Sequence, residues 1–178
     1  MSNRDLNFES LIFREIELSD LLELQRISRI TFKDTFDWYN TESDMNQYLN
    51  ENLSIESLTK EFNQVGAKFY FLEYNQNCIA FLKLNKGEAQ TEKDYNNTLE
   101  IERIYILKEY KGKNIGTFLL NKAKEIVKKE NLDYLWLAVW EKNEQAIKFY
   151  EKHNFKIFGE HDFILGTDIQ KDYLMKLK

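Results

Sequence analysis

Residues 99–123, LEIERIYILKEYKGKNIGTFLLNKA, followed by residues 134–140, YLWLAVW, constrain the fold of this chain more than any other feature. Leu99, Ile101, Ile104, Tyr105, Ile106 and Leu107 form a β-branched and aromatic run that predicts a strand. A loop over 108–115 follows. The helix after it opens at Gly116 or Thr117 and carries Leu119, Ala123, Ile126 and Val127 on one stripe. YLWLAVW is apolar at every position, as a strand buried on both faces must be. Strand, helix and strand in that order imply a parallel pair joined by a right-handed crossover. The loop feeds a helix N-terminus, where unpaired N–H groups and the positive end of the helix dipole favour an anion such as phosphate. Lys111 and Lys113 add two point charges beside it.

The flanking segments read more simply. Residues 11–15 predict a first strand, and Ser19 is placed to cap a helix over 20–29. An aromatic patch of Phe32, Phe36, Trp38 and Tyr39 follows. Thr41 opens one helix in a capping box with Asp44, and Ser54 caps another. Residues 69–74 and 78–84 predict two strands joined by a hairpin turn at Asn75-Gln76-Asn77. Residues 85–97 are polar and predict a loop. Asn131 suits a left-handed helix end, and Asn143 caps a last helix that ends at His153-Asn154. Residues 156–158 and 172–177 predict two closing strands joined by a loop carrying Gly159 and Gly166.

At 178 residues, with 43% apolar and 31% charged side chains, the whole of 1–178 is expected to form one domain. The net charge of −5 disfavours a nucleic-acid role and permits a cationic substrate. No apolar run is long enough to cross a bilayer, and the polar start does not resemble a signal peptide. The lone Cys78 fits a reducing, cytoplasmic setting. His153, His161 and Cys78 have no ligand spacing, so no metal is expected. Lys122, Lys124, Lys128 and Lys129 fit the wet face of an amphipathic helix.

The loop YKGKNIGT matches neither GxxxxGK[ST] nor GxGxxG, and an ordinary turn with solvated lysines is the plain alternative. However, 111–116 resembles the Q/R-x-x-G-x-G/A motif of the GCN5-related N-acetyltransferases (GNAT). The strand before it, YLWLAVW, and the segment Asn143-Glu-Gln-Ala-Ile-Lys-Phe-Tyr150 follow that family's order and spacing. LEIERIYIL, WLAVWEKNEQAIKFY and the closing Phe158-Gly-x-His161-x-Phe163 with Asp172-Tyr-Leu-Met175 are similar to the PaiA-type spermidine/spermine N-acetyltransferases. Two positions depart from the pattern. Asn114 replaces the first glycine of the loop and Lys111 its arginine or glutamine.

The resemblance implies an α/β (α+β) acyl-CoA N-acyltransferase fold, with a mixed, mostly antiparallel sheet of about seven strands flanked by helices. It implies acetyl-CoA as co-substrate and transfer of acetyl to a primary amine by direct attack in a ternary complex. Backbone N–H groups of Lys111, Gly112, Lys113, Asn114, Ile115 and Gly116, with Thr117 in the first helical turn, would bind its diphosphate. The strand backbone at Ile104, Tyr105 and Ile106 would pair with the pantetheine arm, and Asn143 would bond its amide. Tyr150 would give a proton to the departing thiolate; a core tyrosine is the plain alternative. Glu100 aligns with a general base and Glu102 shares its side of the strand. Salt bridging, for example with Arg103, is the alternative for both. Trp140 and Glu141 would hold the acceptor's ammonium, with Phe36 as a wall. The expected partner is a small cationic amine, a polyamine above all, with no nucleic acid and no membrane; a homodimer is compatible. The rivals are a protein or peptide N-acetyltransferase and a non-catalytic CoA-binding regulatory domain.

Overall fold

The computed structural model describes residues 6–165 and 168–178. Seven strands form one sheet: β1 (Leu11–Glu15), β2 (Ala67–Tyr74), β3 (Asn77–Asn85), β4 (Leu99–Ile106), β5 (Leu135–Trp140), β6 (Lys156–Leu165) and β7 (Asp168–Leu177). Their order is β1-β2-β3-β4-β5-β7-β6. Every neighbouring pair is antiparallel except β4 and β5. This is the mixed, mostly antiparallel sheet expected. Among the described residues five helices flank it: α1 (Leu21–Phe36), α2 (Glu42–Glu51), α3 (Ile55–Phe62), α4 (Ile115–Lys129) and α5 (Glu144–Lys152).

The sheet separates two apolar cores. On one face Leu82, Leu84, Leu99, Ile101, Leu119, Leu120 and Ala123 pack under α4 and α5. On the other, Phe69, Phe71 and Phe81 meet Leu24, Ile27, Met45 and Leu58 of α1–α3. Strand alternation makes this division, since residues 69, 71 and 81 face one way and 82 and 84 follow strict parity.

Local chemistry sets most element ends. Thr41 Oγ1 accepts from the Asp44 N–H at 3.1 Å, and Ser54 Oγ from the Ser57 N–H at 3.1 Å. Asn143 Oδ1 accepts from the Ala146 N–H at 3.2 Å. The β2–β3 turn holds Asn75 and Gln76 at φ 49° and 65°, the primed geometry of a tight hairpin.

Three expectations are corrected. Ser19 does not cap a helix: a 3₁₀ turn covers Leu18–Asp20, Asp20 accepts from the Glu17 N–H at 2.8 Å, and α1 then runs to Phe36. Phe32 and Phe36 are therefore helical. The closing hairpin is much longer than expected. Gly159 lies within β6 beside a bulge, where a Cβ would come within 3.3 Å of Leu174 Cδ1. Gly166 lies outside the described residues.

The feature that positions the site is the β4–β5 pair. It holds only over Leu99↔Leu135, Glu100↔Trp136 and Ile101↔Leu137. Beyond Ile101 the strands part, and the sheet opens.

Candidate active site

The opening between β4 and β5 is the floor of a cleft of about 960 Å³, at the upper end of the usual range for ligand sites. One end is made by the loop before α4 and the start of α5. The other is made by α1, α2 and the β6–β7 hairpin.

At the first end, Asn114 caps α4 in the left-handed region, φ 60°, and offers no side-chain hydrogen bond. Gly112 also has positive φ, 77°. Asparagine tolerates this backbone better than other non-glycine residues, so replacement of the motif glycine leaves the turn intact. The N–H groups of residues 112–117 find no protein acceptor among the described residues. They form a cradle at the helix N-terminus, suited to a diphosphate. The expected donor set loses its first member. The Lys111 N–H is taken by Lys108 O at 3.2 Å, closing the 3₁₀ turn Lys108–Tyr110, while the N–H of Thr117 stays open as expected. The Lys111 side chain lines the cleft; Lys113 does not, its ammonium lying 5.4 Å from the Tyr110 ring centroid. At Gly116 an added Cβ would stand 3.2 Å from Phe149 Cζ, so α4 and α5 approach closely there.

The open edge of β4 comes next. The Leu107 N–H donates to Ile79 O of the β3 side at 3.0 Å. Alternation then directs the Tyr105 backbone to β3 and the backbones of Ile104 and Ile106 to the gap. Only two of the three expected positions thus present backbone there. Tyr105 instead lines the cleft. Asn143 lines the cleft while capping α5.

Tyr150 is 6% exposed, lines the cleft, and its hydroxyl has no hydrogen-bond partner among the described residues. Burial raises its pKa above the usual tyrosine value, so the phenol stays protonated. Nearby, Thr117 Oγ1 lies 3.1 Å from His153 Nε2. Burial lowers the His153 pKa, with Lys124 and Lys152 acting in the same direction.

Glu100 and Glu102 face the same side, as expected. Asn85 Nδ2 donates to both, at 3.1 Å and 2.5 Å. A bulge at Glu102 brings Arg103 to that side too, since Lys83 pairs with Arg103 and Leu84 with Ile101. The two carboxylates then diverge. Glu102 meets Lys83 Nζ at 2.5 Å and Arg103 Nη2 at 3.2 Å. Burial opposes its ionisation, but Arg103 and Lys83 prevail and hold its pKa low. Arg103 also grips Glu61 of α3 with both nitrogens, at 2.7 Å and 3.0 Å. Glu100 has no cation partner among the described residues. It accepts from the Thr91 N–H at 2.8 Å, Thr91 Oγ1 at 2.5 Å and Asn85. Burial raises its pKa, and the adjacent Glu102 adds to the rise.

The end made by α1, α2 and the β6–β7 hairpin is walled by Phe32, Phe36, Tyr39, Tyr48, Trp140 and Phe163. Phe32 and Tyr48 stack at 4.3 Å, and Tyr39 meets Trp140 edge-on at 5.0 Å. Of the aromatic patch, Phe32, Phe36 and Tyr39 form wall, Phe32 being almost fully buried, and Trp38 is 91% exposed. Glu141 is not brought in; it does not line the cleft, and its N–H donates to Lys171 O. Asp172 lines it instead. Asp172 pairs in register with Trp140 on β5 and with His161 on β6. His161 Nδ1 lies 2.6 Å from Glu92 Oε1, and Nε2 lies 3.7 Å from Asp172 Oδ2. Asp172, then Glu92, raise the His161 pKa to about 9 against the effect of burial. Sequence reading missed Asp172, His161, Thr91 and Asn85. Their pairing depends on strand register, and only the closing-strand motif that contains His161 and Asp172 hinted at it.

Comparison with known proteins agrees with this arrangement. A model of the acetyltransferase (GNAT) family matches residues 29–155. An uncharacterized N-acetyltransferase from the pepI 3′ region of Lactobacillus delbrueckii subsp. lactis is 39% identical over 162 residues, 91% of this chain and 94% of that protein. The spermidine N(1)-acetyltransferase of Thermoplasma acidophilum is 29% identical over 152 residues, 83% of this chain and 89% of that one. The crystal structure of PaiA N-acetyltransferase from Thermoplasma acidophilum in complex with coenzyme A is similar with a TM-score of 0.76 and 26% identity, covering 95% of this chain and 99% of that chain. The parted parallel strands, the amide cradle before α4 and the family match together make this chain a member of the GNAT family, an acetyl-CoA-dependent N-acetyltransferase.

Proposed function

We propose that the acceptor is a small cationic primary amine, a polyamine such as spermidine or spermine. The observation that carries this reading is the composition of the acceptor end. Aromatic faces from Phe36, Tyr39, Tyr48 and Trp140 surround a site that also holds Glu100, Glu102 and Asp172. Aromatic faces and carboxylates are the chemistry that binds ammonium groups. The 29% identical spermidine acetyltransferase points the same way.

Acetyl-CoA supplies an activated thioester, so no enzyme nucleophile is needed. The amides of residues 112–117 would hold its diphosphate. The inward N–H groups of Ile104 and Ile106 would orient the arm, and one of them would polarise the acyl oxygen as charge develops. The acceptor must lose a proton before its nitrogen can attack, since an alkylammonium has a pKa of about 10.4. Glu100 is assigned that proton, directly or through water, because its raised pKa makes it the better base of the pair. As the N–C bond forms and the C–S bond breaks, the protonated Tyr150 hydroxyl donates to the sulfur, and the second proton shed by the attacking nitrogen passes to solvent, from which Tyr150 is reprotonated.

Thiol release from acetyl-CoA tests the reading. Spermidine and spermine are expected to give turnover, and a peptide amine much less. Turnover with the peptide alone would transfer the assignment to protein or peptide acetylation. CoA binding without turnover on any amine would favour a regulatory domain.

A further inference from the structure

Asp172 stands between two cross-strand neighbours, Trp140 on β5 and His161 on β6. Its Oδ2 faces the His161 ring, while its Oδ1 is buried and has no hydrogen-bond partner. Trp140 is 6% exposed and its Nε1 is likewise buried and unpartnered. Both residues line the cleft. Two orphaned polar atoms on paired residues at one surface are unexpected in a closed core, where buried polar groups find partners. They are expected where a ligand completes the set.

The glutamates at this end are already engaged, and Asp34, which also lines the cleft, is exposed to solvent. Glu102 is held by Lys83 and Arg103, and Glu100 by Thr91 and Asn85. The surrounding cations also leave Asp172 Oδ1 open. Protonated His161 faces the other oxygen and is shared with Glu92. Lys142 places its ammonium over the Trp140 ring, 5.7 Å from the centroid, showing that this indole face accepts a cation.

We propose that Asp172 Oδ1 is the seat for an ammonium group of the acceptor, with His161 holding the carboxylate in place through its other oxygen. This rests on the cationic-amine reading and names the residue that enforces it. A second positive charge on the acceptor, remote from the reacting nitrogen, is then what distinguishes a polyamine from a simple alkylamine.

Calorimetric titration of spermidine into the CoA-saturated protein, paired with steady-state kinetics, tests this. Losing a charge-assisted hydrogen bond in a desolvated site is expected to weaken binding about tenfold to a hundredfold. Asp172→Asn should show that loss in spermidine affinity and KM, with KM for acetyl-CoA within about twofold of wild type. Asp172→Glu, which keeps the charge, should recover most of it. Melting curves of both variants identify any that unfold, and the remaining variant still decides. Equal spermidine affinity in wild type and Asp172→Asn overturns the seat while leaving polyamine acetylation intact. Equal loss in both variants also overturns it, since charge would then be irrelevant. Spermidine binding that depends on Asp172 without turnover supports the seat and rejects spermidine as the acetyl acceptor. No spermidine binding to wild type overturns the seat.

Discussion

Thr91 donates twice to Glu100, its N–H to Oε2 at 2.8 Å and its hydroxyl to Oε1 at 2.5 Å. The contact ties the loop between β3 and β4 to the strand that floors the cleft. The next residue, Glu92, reaches across to His161 on β6. One dipeptide thus bridges the two halves of a sheet that parts between β4 and β5.

The bond predicts how Glu100 fails. Glu100→Gln removes the base while keeping an acceptor for Thr91. We expect kcat to fall about a hundredfold, within the usual range for general-base loss, with KM for acetyl-CoA unchanged. The pKa of Glu100 is raised, so wild-type kcat/KM should fall on acidification at a pH above the ordinary glutamate value of about 4.3, and this limb should vanish in the variant. A persistent acid limb would assign the base elsewhere.

Tyr150→Phe tests the proton donor. Its hydroxyl has no partner among the described residues, so removing it leaves no buried group unsatisfied. The melting point should hold, and CoA affinity should stay within about twofold, while kcat drops about tenfold to a hundredfold. Unchanged kcat would make Tyr150 a packing residue.

The cradle before α4 depends on left-handed backbone at Asn114. Asn114→Gly should preserve CoA affinity. Asn114→Val should cost roughly 1–2 kcal/mol in stability, because a β-branched residue resists positive φ, and should weaken CoA. Isothermal titration with CoA measures both; equal affinity in the valine variant would show that the diphosphate does not use this turn.

His161 has a folded pKa of about 9, above its ordinary value near 6.5. Its ion pairs with Asp172 and Glu92 therefore stabilise fully below about pH 6.5, and the contribution fades as pH rises through 9. His161→Gln should flatten that decline, which amounts to at most about 3 kcal/mol. Melting curves from pH 6 to 10 measure it, and parallel wild-type and variant profiles would contradict it.

The sequence was most legible where chemistry is local. Thr41, Ser54 and Asn143 cap helices through contacts three residues ahead, and Asn75-Gln76 forms its own turn. The loop at 112–117 could be read because a helix N-terminus carries its own unpaired amides. Reading failed where partners are distant or depend on register. Glu92 and His161 are 69 residues apart. Asp172 enters the cleft because β7 pairs with β5, whereas Glu141, adjacent to Trp140 in sequence, stays out of it. Ser19 looked like a cap, but Asp20 takes the Glu17 amide instead.

A crystal structure with bound CoA examines the central claim most directly. The account predicts diphosphate oxygens about 3 Å from the amides of residues 112–117, the arm along Ile104 and Ile106, and the sulfur beside the Tyr150 hydroxyl. A diphosphate bound elsewhere, or a sulfur remote from Tyr150, would contradict it.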